Sequence, residues 1–326
     1  MSEHQNTLDA LTVPEAWQRL PLERMHGVVL VVGDVDTGKS TLIRYLWRRL
    51  WQLRGERARL AVLDGDIGQA VLGPPTTQTV RTAHPEDPAR FPPRGRLSRW
   101  FVGSTSPRGH MLPTVIGLHR LVQRARTWGA HTILVDTTGM IRPNLGGVAL
   151  KWAKFDLLQP RVVIALQREK ELEPLIGPWR HSRRFHLIEL PVSPLVRRRS
   201  REERIAWRQY RFQLYFRRAQ ALTLSVENLT VLGGGRLEPG RVLGLLDREG
   251  YAVGIGVLKQ WRGEMWEVLT PVSDLRRVDA VRLGHIVLDP TWRDRRYIPL
   301  AEANRPLQAD VPEAHPSAPD RDHLGE

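Results

Sequence analysis

The segment Gly33–Thr41 constrains the fold of this chain more than any other. It reads GDVDTGKST and fits the pattern G-x-x-x-x-G-K-[ST] of a phosphate-binding loop. The apolar run Gly27–Val32 before it predicts a buried strand, and the amphipathic run Thr41–Leu53 after it predicts a helix. This order of elements suits such a loop, because its backbone N–H groups and the positive end of the helix bind phosphate oxygens together. A chance match in a glycine-containing loop would leave the flanking strand and helix unexplained.

The loop predicts specific contacts with a nucleotide and a metal ion. Lys39 is placed to reach the β- and γ-phosphates, and the Ser40 hydroxyl is placed to ligate Mg²⁺. We expect the whole loop to bind the nucleotide, through Gly33, Asp34, Val35, Asp36, Thr37, Gly38, Lys39, Ser40 and Thr41.

The pattern around the loop predicts an α/β class. Apolar runs alternate with helical patterns from Gly27 to about Glu189, which is typical of a mainly parallel sheet with helices on both faces. The predicted strands are 27–32, 60–63, 100–102, 131–135, 161–166 and 185–190, and the predicted helices are 41–53, 114–127, 145–155, 169–177 and 201–218.

Composition divides the 326 residues into four expected segments. After about Arg218, alternating Val, Leu and Tyr with frequent Gly predict a small β domain. We expect a short arm (1–24), a phosphate-loop domain (25–218), a C-terminal β domain (219–302) and a disordered, proline- and acid-rich tail (303–326). The chain has no membrane-length apolar stretch, and its polar N-terminus lacks a signal peptide, so we expect a cytoplasmic protein.

Net charge indicates a polyanionic partner. It is +14, and only five of the 49 basic residues are Lys. Arg binds phosphate through two parallel hydrogen bonds and stacks on bases. A GC-rich genome is an alternative explanation for the choice of Arg, but it does not explain the excess of cations over acids.

Three acids follow predicted strands and are candidates for catalysis or metal binding. Asp64 and Asp66 end one strand, and Asp136 ends another, in HTILVDTTGM. Beside a triphosphate these carboxylates suit Mg²⁺ coordination or acceptance of a proton from an attacking hydroxyl. The residues alone leave the metal ligand open among the three, and a strand-end turn capped by Asp is the structural alternative.

The same edge of the sheet carries further polar groups. Thr137 and Thr138 are candidates for hydrogen bonds to the γ-phosphate, and FVGSTSPRGH (Phe101–His110) brings Thr105 and Arg108, unless it is a plain turn. Farther on, Arg197, Arg201, Arg204, Arg208 and Arg211 fall at helical spacing and predict one basic stripe. Such a stripe suits an anion, although a solvated helix with Glu202 and Glu203 as partners is the alternative.

Taken in order, GDVDTGKST, DGDIGQ, DTTGM and RSREERIAWRQYR resemble the polynucleotide 5′-hydroxyl kinases, in particular their short prokaryotic type. The resemblance spans about Gly27–Arg218. It implies a phosphate-loop NTPase fold and transfer of the γ-phosphate of ATP, or GTP, to the 5′-hydroxyl end of RNA or DNA, with Mg²⁺.

The resemblance also implies residue roles. Lys39, Asp66, Arg204 and Arg208 become catalytic: Asp66 has a general-base or metal role, and the two arginines match the family's lid. We assign the metal to Ser40 with help from Asp64. The expected substrate contacts are Gln69, Thr105, Arg108, Thr137, Thr138, Gly139 and Met140. Two departures stand out: Met140 replaces the aromatic residue that would stack on a substrate base, and the large N-terminal β domain that helps hold adenine in eukaryotic members is absent.

Other classes of function compete with this interpretation. The first is a non-catalytic ATP-binding scaffold in an RNA-processing complex, which would not need Asp66 or the Arg204/Arg208 pair. A GTPase switch would need an N-K-x-D motif, which we do not find, and a small-metabolite kinase would not need the cation excess. The choices between RNA and DNA and between ATP and GTP stay open.

Overall fold

The computed structural model describes residues 13–308, with the side chains of Glu56, Arg296 and Gln308 left aside. A seven-stranded sheet organises the first part of the chain. Its strands are β1 (Gly27–Gly33), β2 (Leu60–Gly65), β3 (Thr77–Thr82), β4 (Leu97–Phe101), β5 (Thr132–Thr137), β6 (Val162–Gln167) and β7 (His186–Pro191). They lie in the order β4-β3-β2-β5-β1-β6-β7. All are parallel except β3, which is antiparallel to both of its neighbours. β5 therefore lies directly between β2 and β1, and this order brings the acids of β2 and β5 beside the phosphate loop.

Helices cover both faces of this sheet. The helices among residues 13–308 are α1 (Glu15–Gln18), α2 (Lys39–Arg54), α3 (Met111–Thr127), α4 (Gly147–Leu158), α5 (Glu173–Ile176), α6 (Arg201–Phe216) and α7 (Leu300–Ala303), with 3₁₀ turns at Leu22–Arg24, Gly55–Ala58, Pro143–Leu145, Gly177–Trp179 and Leu275–Arg277. Of these, α6 and α7 pack against C-terminal strands. Alternation along β1 explains the two layers: Val28 packs in one core with Leu118 of α3, and Val29 packs in the other with Leu46 of α2. The predicted α/β class is confirmed.

A second sheet follows α6. Its strands are β8 (Gln220–Ser225), β9 (Thr230–Leu232), β11 (Arg241–Leu246), β12 (Ala252–Arg262), β13 (Met265–Thr270), β14 (Ala280–Leu288) and β15 (Asp294–Tyr297). The path β15-β14-β11-β12-β13-β8 is antiparallel, and β9 joins β14 in parallel. Two short strands, β10 (Gly235–Arg236) and β16 (Leu307–Gln308), pair separately. The predicted C-terminal β-rich part is thus confirmed as a class, while its boundary at residues 218/219 stays a prediction.

The two sheets share apolar contacts, and α6 lies between them. Phe212 and Phe216 of α6 are buried with Ile255 of β12, and Phe216 stacks on Trp292 at 4.7 Å between ring centroids. Phe101 of β4 joins this core, and a Cβ atom on Gly244 would lie 2.3 Å from its ring. Gly244 therefore lets β11 approach β4 closely.

Several predicted elements differ from the observed ones. β3 (TQTVRT) is absent from the prediction because Val80 is its only aliphatic side chain, yet β-branched Thr suits a strand and Thr77–Val80 are buried. The helix predicted at 169–177 is wrong. Only Glu173–Ile176 is α-helical, since the Glu171 carboxylate binds the amides of Arg168 and Glu169 in a turn.

The structure describes both ends of the chain in part, and the predicted arm and tail stay predictions. Trp17 and Leu20, in the expected arm, are 4% and 7% exposed and pack beside α2. Residues 303–308 of the expected tail contribute the end of α7 and β16, and residues 309–326 lie outside the described part. Within residues 13–308, no helix is long and apolar enough to cross a membrane.

Candidate active site

The phosphate loop joins β1 to α2 and is built for close approach. A Cβ atom on Gly33 would lie 2.6 Å from Thr37 Oγ1 and 2.7 Å from the Leu166 carbonyl oxygen. Gly38 caps α2 with a left-handed φ of 86° and no side-chain hydrogen bond. The first amides of α2 therefore lack both intrahelical acceptors and a capping side chain, and they form a site for an anion.

Lys39 is the buried cation of this loop. It is 7% exposed, and its Nζ donates a hydrogen bond to the Asp34 carbonyl oxygen at 2.5 Å. Burial lowers its pKa, while the nearby charges of Asp136 and Asp66 oppose that shift. The ammonium thus lies where a phosphate would relieve its burial.

Ser40 and Asp136 meet at the start of α2. The Ser40 hydroxyl donates to Asp136 Oδ2 at 2.5 Å, and the Thr137 amide donates to Oδ1 at 2.8 Å. Burial raises the pKa of Asp136, and Lys39 opposes the rise. Strand order produces this pair, because β5 is the direct neighbour of β1.

Asp64 and Asp66 have different surroundings. Asp64 Oδ2 accepts hydrogen bonds from the amides of Val71 and Leu72 at 2.6 and 2.9 Å, so this side chain shapes the segment after β2. Burial, followed by the charge of Asp136, raises its pKa to about 7. Asp66 lies on the cavity wall, and its Oδ1 accepts from the amides of Gly68 and Gln69.

Asp36 is bound by arginines from two other segments. Its side chain is 4% exposed, and its carboxylate accepts hydrogen bonds from the Arg199 amide (3.0 Å), Arg199 Nε (2.8 Å) and an Arg204 guanidinium nitrogen (3.2 Å). Arg168, at the end of β6, binds the Asp36 carbonyl oxygen. Asp36 also has a positive φ of 53°. Burial alone would raise the pKa of the Asp36 carboxyl, but the hydrogen bonds and charges of Arg199 and Arg204 lower it overall.

Sequence reasoning missed Arg199 and Arg168 at this position. It also missed the hydrogen bond between Asp36 and the lid residue Arg204. The available signal was a carboxylate inside a loop that binds anions, which needs cations near it.

The predicted basic stripe meets protein acceptors along α6. Arg208 binds Asp294 of β15 through Nε (3.1 Å) and a terminal nitrogen (2.8 Å), and Arg211 donates to the carbonyl oxygens of Val71 and Gly73. A capping box formed by Ser200 and Glu203 starts the helix, so Arg197 precedes it and the stripe begins at Arg201. The solvated-helix alternative is wrong for Arg204, Arg208 and Arg211.

The expected substrate contacts are distributed around the loop. Gln69 Nε2 donates to the Arg204 carbonyl oxygen at 3.2 Å. A Cβ atom on Gly68 would lie 2.5 Å from the Thr105 carbonyl oxygen, and one on Gly139 would lie 2.5 Å from the Val35 amide nitrogen. The Thr105 segment thus packs directly on the turn after Asp66, and the Gly139 segment packs directly on the phosphate loop.

The remaining expected contacts vary in exposure. Thr137 and Thr138 are buried, Met140 is half-buried and Arg108 is exposed. The Thr137 hydroxyl donates to the Val31 carbonyl oxygen at 2.8 Å, which fixes this strand end to β1.

Two buried lysines of α4 were not predicted. Lys151 Nζ donates to Thr137 Oγ1 at 2.8 Å and to the Thr138 carbonyl oxygen. Lys154 Nζ is buried without a hydrogen-bond partner among the described residues. Burial lowers both pKa values, that of Lys154 to about 8. Lys151 therefore holds the end of β5 in place.

A cavity of about 430 Å³ lies over the loop. Its apolar lining consists of Val13, Pro14, Trp17, Tyr45, Leu195 and Val196. The lining also includes Asp66, Gln69, Val71 and Trp207, together with the cations Lys39, Arg199 and Arg204. Loop, buried lysine, hydroxyl–carboxylate pair and α/β sheet together define a phosphate-loop NTPase.

Comparison with known proteins narrows this class. The family described as "mRNA cleavage and polyadenylation factor CLP1 P-loop" matches residues 33–218, more than half of the chain, and the chain belongs to it. The resemblance to the polynucleotide 5′-hydroxyl kinases is thereby confirmed at the level of the family.

Curated relatives cover most of the chain. A protein of Pyrococcus furiosus named polyribonucleotide 5′-hydroxyl-kinase is 30% identical over 84% of this chain and 92% of its own. Proteins of the same name from Pyrococcus horikoshii and Methanocaldococcus jannaschii are 29% and 27% identical, over 84% and 80% of this chain and 90% and 87% of their own. Among solved structures, the wild-type Clp1p–Pcf11p complex matches with a TM-score of 0.61 at 14% identity, over 80% of this chain and 74% of the other, which shows a shared fold.

Proposed function

We propose that the protein is a polynucleotide 5′-hydroxyl kinase, which transfers the γ-phosphate of ATP to the 5′-hydroxyl end of RNA or DNA. One observation carries the proposal: Lys39, Asp66 and Arg204 line a single cavity over the phosphate loop, and relatives along most of the chain are named as such kinases. A kinase needs a cation for the phosphates, a proton acceptor for the hydroxyl and a cation for the transferring group.

Ser40 and Asp136 are the residues proposed to hold Mg²⁺. When bound, the ion neutralises charge on the β- and γ-phosphates. The residues present fit it: a hydroxyl and a carboxylate touch each other at the end of the loop. Residues 13–308 contain no group of three or more acidic or histidine side chains suited to a metal, and Mg²⁺ in such enzymes takes few protein ligands beside phosphate and water.

Asp64 becomes the weaker choice as metal ligand. Its carboxylate is engaged by the amides of Val71, Leu72 and Asp66. We therefore propose Asp136 in the metal role that the sequence assigned to Asp64.

The chain's own groups supply the remaining steps. Lys39 exchanges the Asp34 carbonyl oxygen for a phosphate oxygen, and Arg204, which lines the same cavity, binds the transferring group. Asp66 accepts the proton of the 5′-hydroxyl as that oxygen attacks the γ-phosphorus of ATP. The bond from this phosphorus to the bridging oxygen breaks, and ADP leaves. Arg208 takes part only if its ion pair with Asp294 opens, because that carboxylate engages its guanidinium in the described state.

The apolar lining of the cavity is proposed to receive the donor nucleobase. Trp17 and Tyr45 pack together at 5.7 Å between ring centroids, and Leu195 and Val196 line the same cavity. Apolar contact of this kind discriminates weakly between adenine and guanine.

The test is transfer of labelled γ-phosphate to 5′-hydroxyl oligonucleotides. RNA and DNA acceptors, single- and double-stranded, are compared with ATP and GTP as donors, and 5′-phosphorylated oligonucleotides serve as the matched negative control. We expect transfer to 5′-hydroxyl ends alone. Nucleotide binding without any transfer in a single-turnover reaction would contradict the proposal and favour the scaffold function.

A further inference from the structure

Helix α6 carries an aromatic pair, of which Trp207 lines the cavity. Trp207 and Tyr210 are three residues apart, on one face of the helix, with 5.9 Å between ring centroids. Tyr210 is 52% exposed. One turn farther, Leu214 is 37% exposed and continues this face. A large exposed aromatic side chain packed on a residue of the cavity wall needs an explanation, because burial would stabilise it.

Trp207 connects this pair to the predicted proton acceptor. It lines the cavity with Asp66 and Gln69, and its Nε1 donates to the Ala70 carbonyl oxygen at 3.3 Å. The preceding turn of α6 is fixed to the same segment, since Gln69 donates to the Arg204 carbonyl oxygen. The aromatic pair therefore starts at the segment that carries Asp66.

Cations adjoin the pair. The Arg211 guanidinium lies 5.8 Å from the Trp207 ring centroid, and Arg199 and Arg204 line the same cavity. An apolar protein partner would offer these arginines no anion, whereas a nucleic-acid strand brings both π-faces and phosphates.

We infer that Trp207 and Tyr210 form a stacking platform for the first unpaired bases of the polynucleotide acceptor. This inference rests on the proposed function and deepens it. The 5′-terminal sugar would lie near Asp66, and the adjoining bases would follow the helix outward over Trp207 and Tyr210. The platform would supply the base contact that Met140, which is not aromatic, cannot make by stacking. Stacking on aromatic side chains is largely independent of base identity, so we expect little sequence preference.

The experiment compares acceptors that differ only in their bases. Single-stranded 5′-hydroxyl pentanucleotides carry either normal bases or abasic sugars at the first two positions, and KM and kcat are measured with ATP. For the unaltered protein, the abasic acceptor should show a KM on the order of tenfold higher, with kcat little changed. Tyr210→Ala should raise the KM of the normal acceptor by a similar factor and shrink the difference between the two acceptors.

Two variants serve as controls. Tyr210→Phe keeps the ring and should keep the preference, while Leu53→Ala removes an exposed apolar side chain (55%) near the far end of α2 and should change nothing. A Tyr210→Ala variant whose KM and base dependence equal those of the unaltered protein would overturn the inference, and so would an equal loss on both acceptors, which indicates a general structural effect.

A binding measurement separates this inference from the proposed function. Fluorescence anisotropy of the same pentanucleotides, labelled at the 3′ end, reports the platform without any transfer. If no oligonucleotide is phosphorylated but Tyr210→Ala still weakens binding of the normal one alone, the kinase proposal fails and the platform stands. If the unaltered protein transfers phosphate but every variant binds the normal and abasic oligonucleotides equally well, the kinase proposal stands and the platform fails.

Discussion

Lys39 is the single residue whose loss should affect transfer most. Its ammonium is buried beside the acids Asp136 and Asp66, so no solvent cation can replace it. We expect Lys39→Ala to lower transfer on the order of 10³-fold or more, as other cations of phosphoryl-transfer sites do. The measurement is labelled-phosphate transfer, with circular dichroism as a check of folding. Lys259→Ala, at an exposed position of β12, is the matched control, and undiminished transfer by Lys39→Ala would contradict the mechanism.

Substitutions of Asp136 and Asp64 should differ in their effect on the Mg²⁺ dependence of activity. Asp136→Asn weakens the acceptor of the Ser40 hydroxyl, so we expect about a 10- to 100-fold loss in activity or in apparent Mg²⁺ affinity. Asp64→Asn leaves that pair intact but faces the amides of Val71 and Leu72 with one acceptor fewer, so it should mainly lower thermal stability. Turnover against Mg²⁺ concentration and a melting curve for each variant decide between them. A larger shift in Mg²⁺ dependence for Asp64→Asn would restore the assignment made from the sequence.

This ambiguity between acids shows what sequence can predict at the residue scale. The phosphate loop is local, so its nine residues and the expected roles of Lys39 and Ser40 are predicted from spacing alone. The partner of Ser40 is not local: Asp136 lies 96 positions later and reaches it because β5 lies between β1 and β2. Strand order depends on packing of the whole sheet, which no short pattern records.

At the scale of elements, the contact between the phosphate loop and the start of α6 should control how the lid arginines act. Asp36 holds Arg199 and one edge of Arg204. Asp36→Asn removes the charge that orients these cations, and we expect turnover to fall about tenfold with a smaller change in the KM for ATP, because hydrogen bonds to charged groups are worth about 1.5–3 kcal/mol. Steady-state kinetics at varied ATP measure the split.

Two further variants test whether this loss arises from the pairing itself. Asp156→Asn breaks another carboxylate–arginine pair, with Arg184, outside the phosphate loop and should have little effect. In a double-mutant cycle, Asp36→Asn and Arg199→Gln should together cost less than the sum of their separate effects. Full additivity would show that Asp36 acts without Arg199.

Elements were predictable to the extent that their signals are local. α2 and β1 follow from periodicity and the loop, and α6 begins where Ser200 and Glu203 cap it. β3 was missed because its burial comes from neighbours: Gln78 donates to the Thr114 carbonyl oxygen of α3, so a polar strand is satisfied inside the fold. The apolar spacing after β6 resembles that of a helix and predicts one. The turn found there depends on the hydrogen bond from the Arg168 amide to the Glu171 carboxylate, which forms only in the folded chain.

At the scale of the whole molecule, the C-terminal sheet is attached to the site through three contacts that sequence could not indicate. Arg208 pairs with Asp294, the His285 amide donates to the Gly103 carbonyl oxygen at 2.8 Å, and His110 meets His285 at 4.3 Å between ring centroids. His110 belongs to the segment that carries Thr105 and Arg108, and the β domain thereby supports one wall of the proposed acceptor site.

The histidine contact should make this attachment sensitive to acid. Burial, with the charges of His110 and Arg241, lowers the pKa of His285 to about 4, and burial also lowers that of His110. A lowered histidine pKa means that the unfolded chain binds protons more readily. The contribution of neutral His285 to the free energy of unfolding is therefore fully present above about pH 6.5 and is lost as the pH falls toward 4. For His285 alone the loss by pH 5 is at most about 2 kcal/mol.

Urea unfolding at pH 7.5 and pH 5.0 measures this loss against the effect of the other titrating groups. His285→Phe keeps an aromatic ring against His110 and removes the titration of position 285, although it leaves the Ile298 carbonyl oxygen without its partner at both pH values. The variant should be less stable than the unaltered protein at pH 7.5, and the gap should narrow at pH 5.0. A gap of equal size at both pH values would mean that the His110–His285 contact carries no linkage to pH.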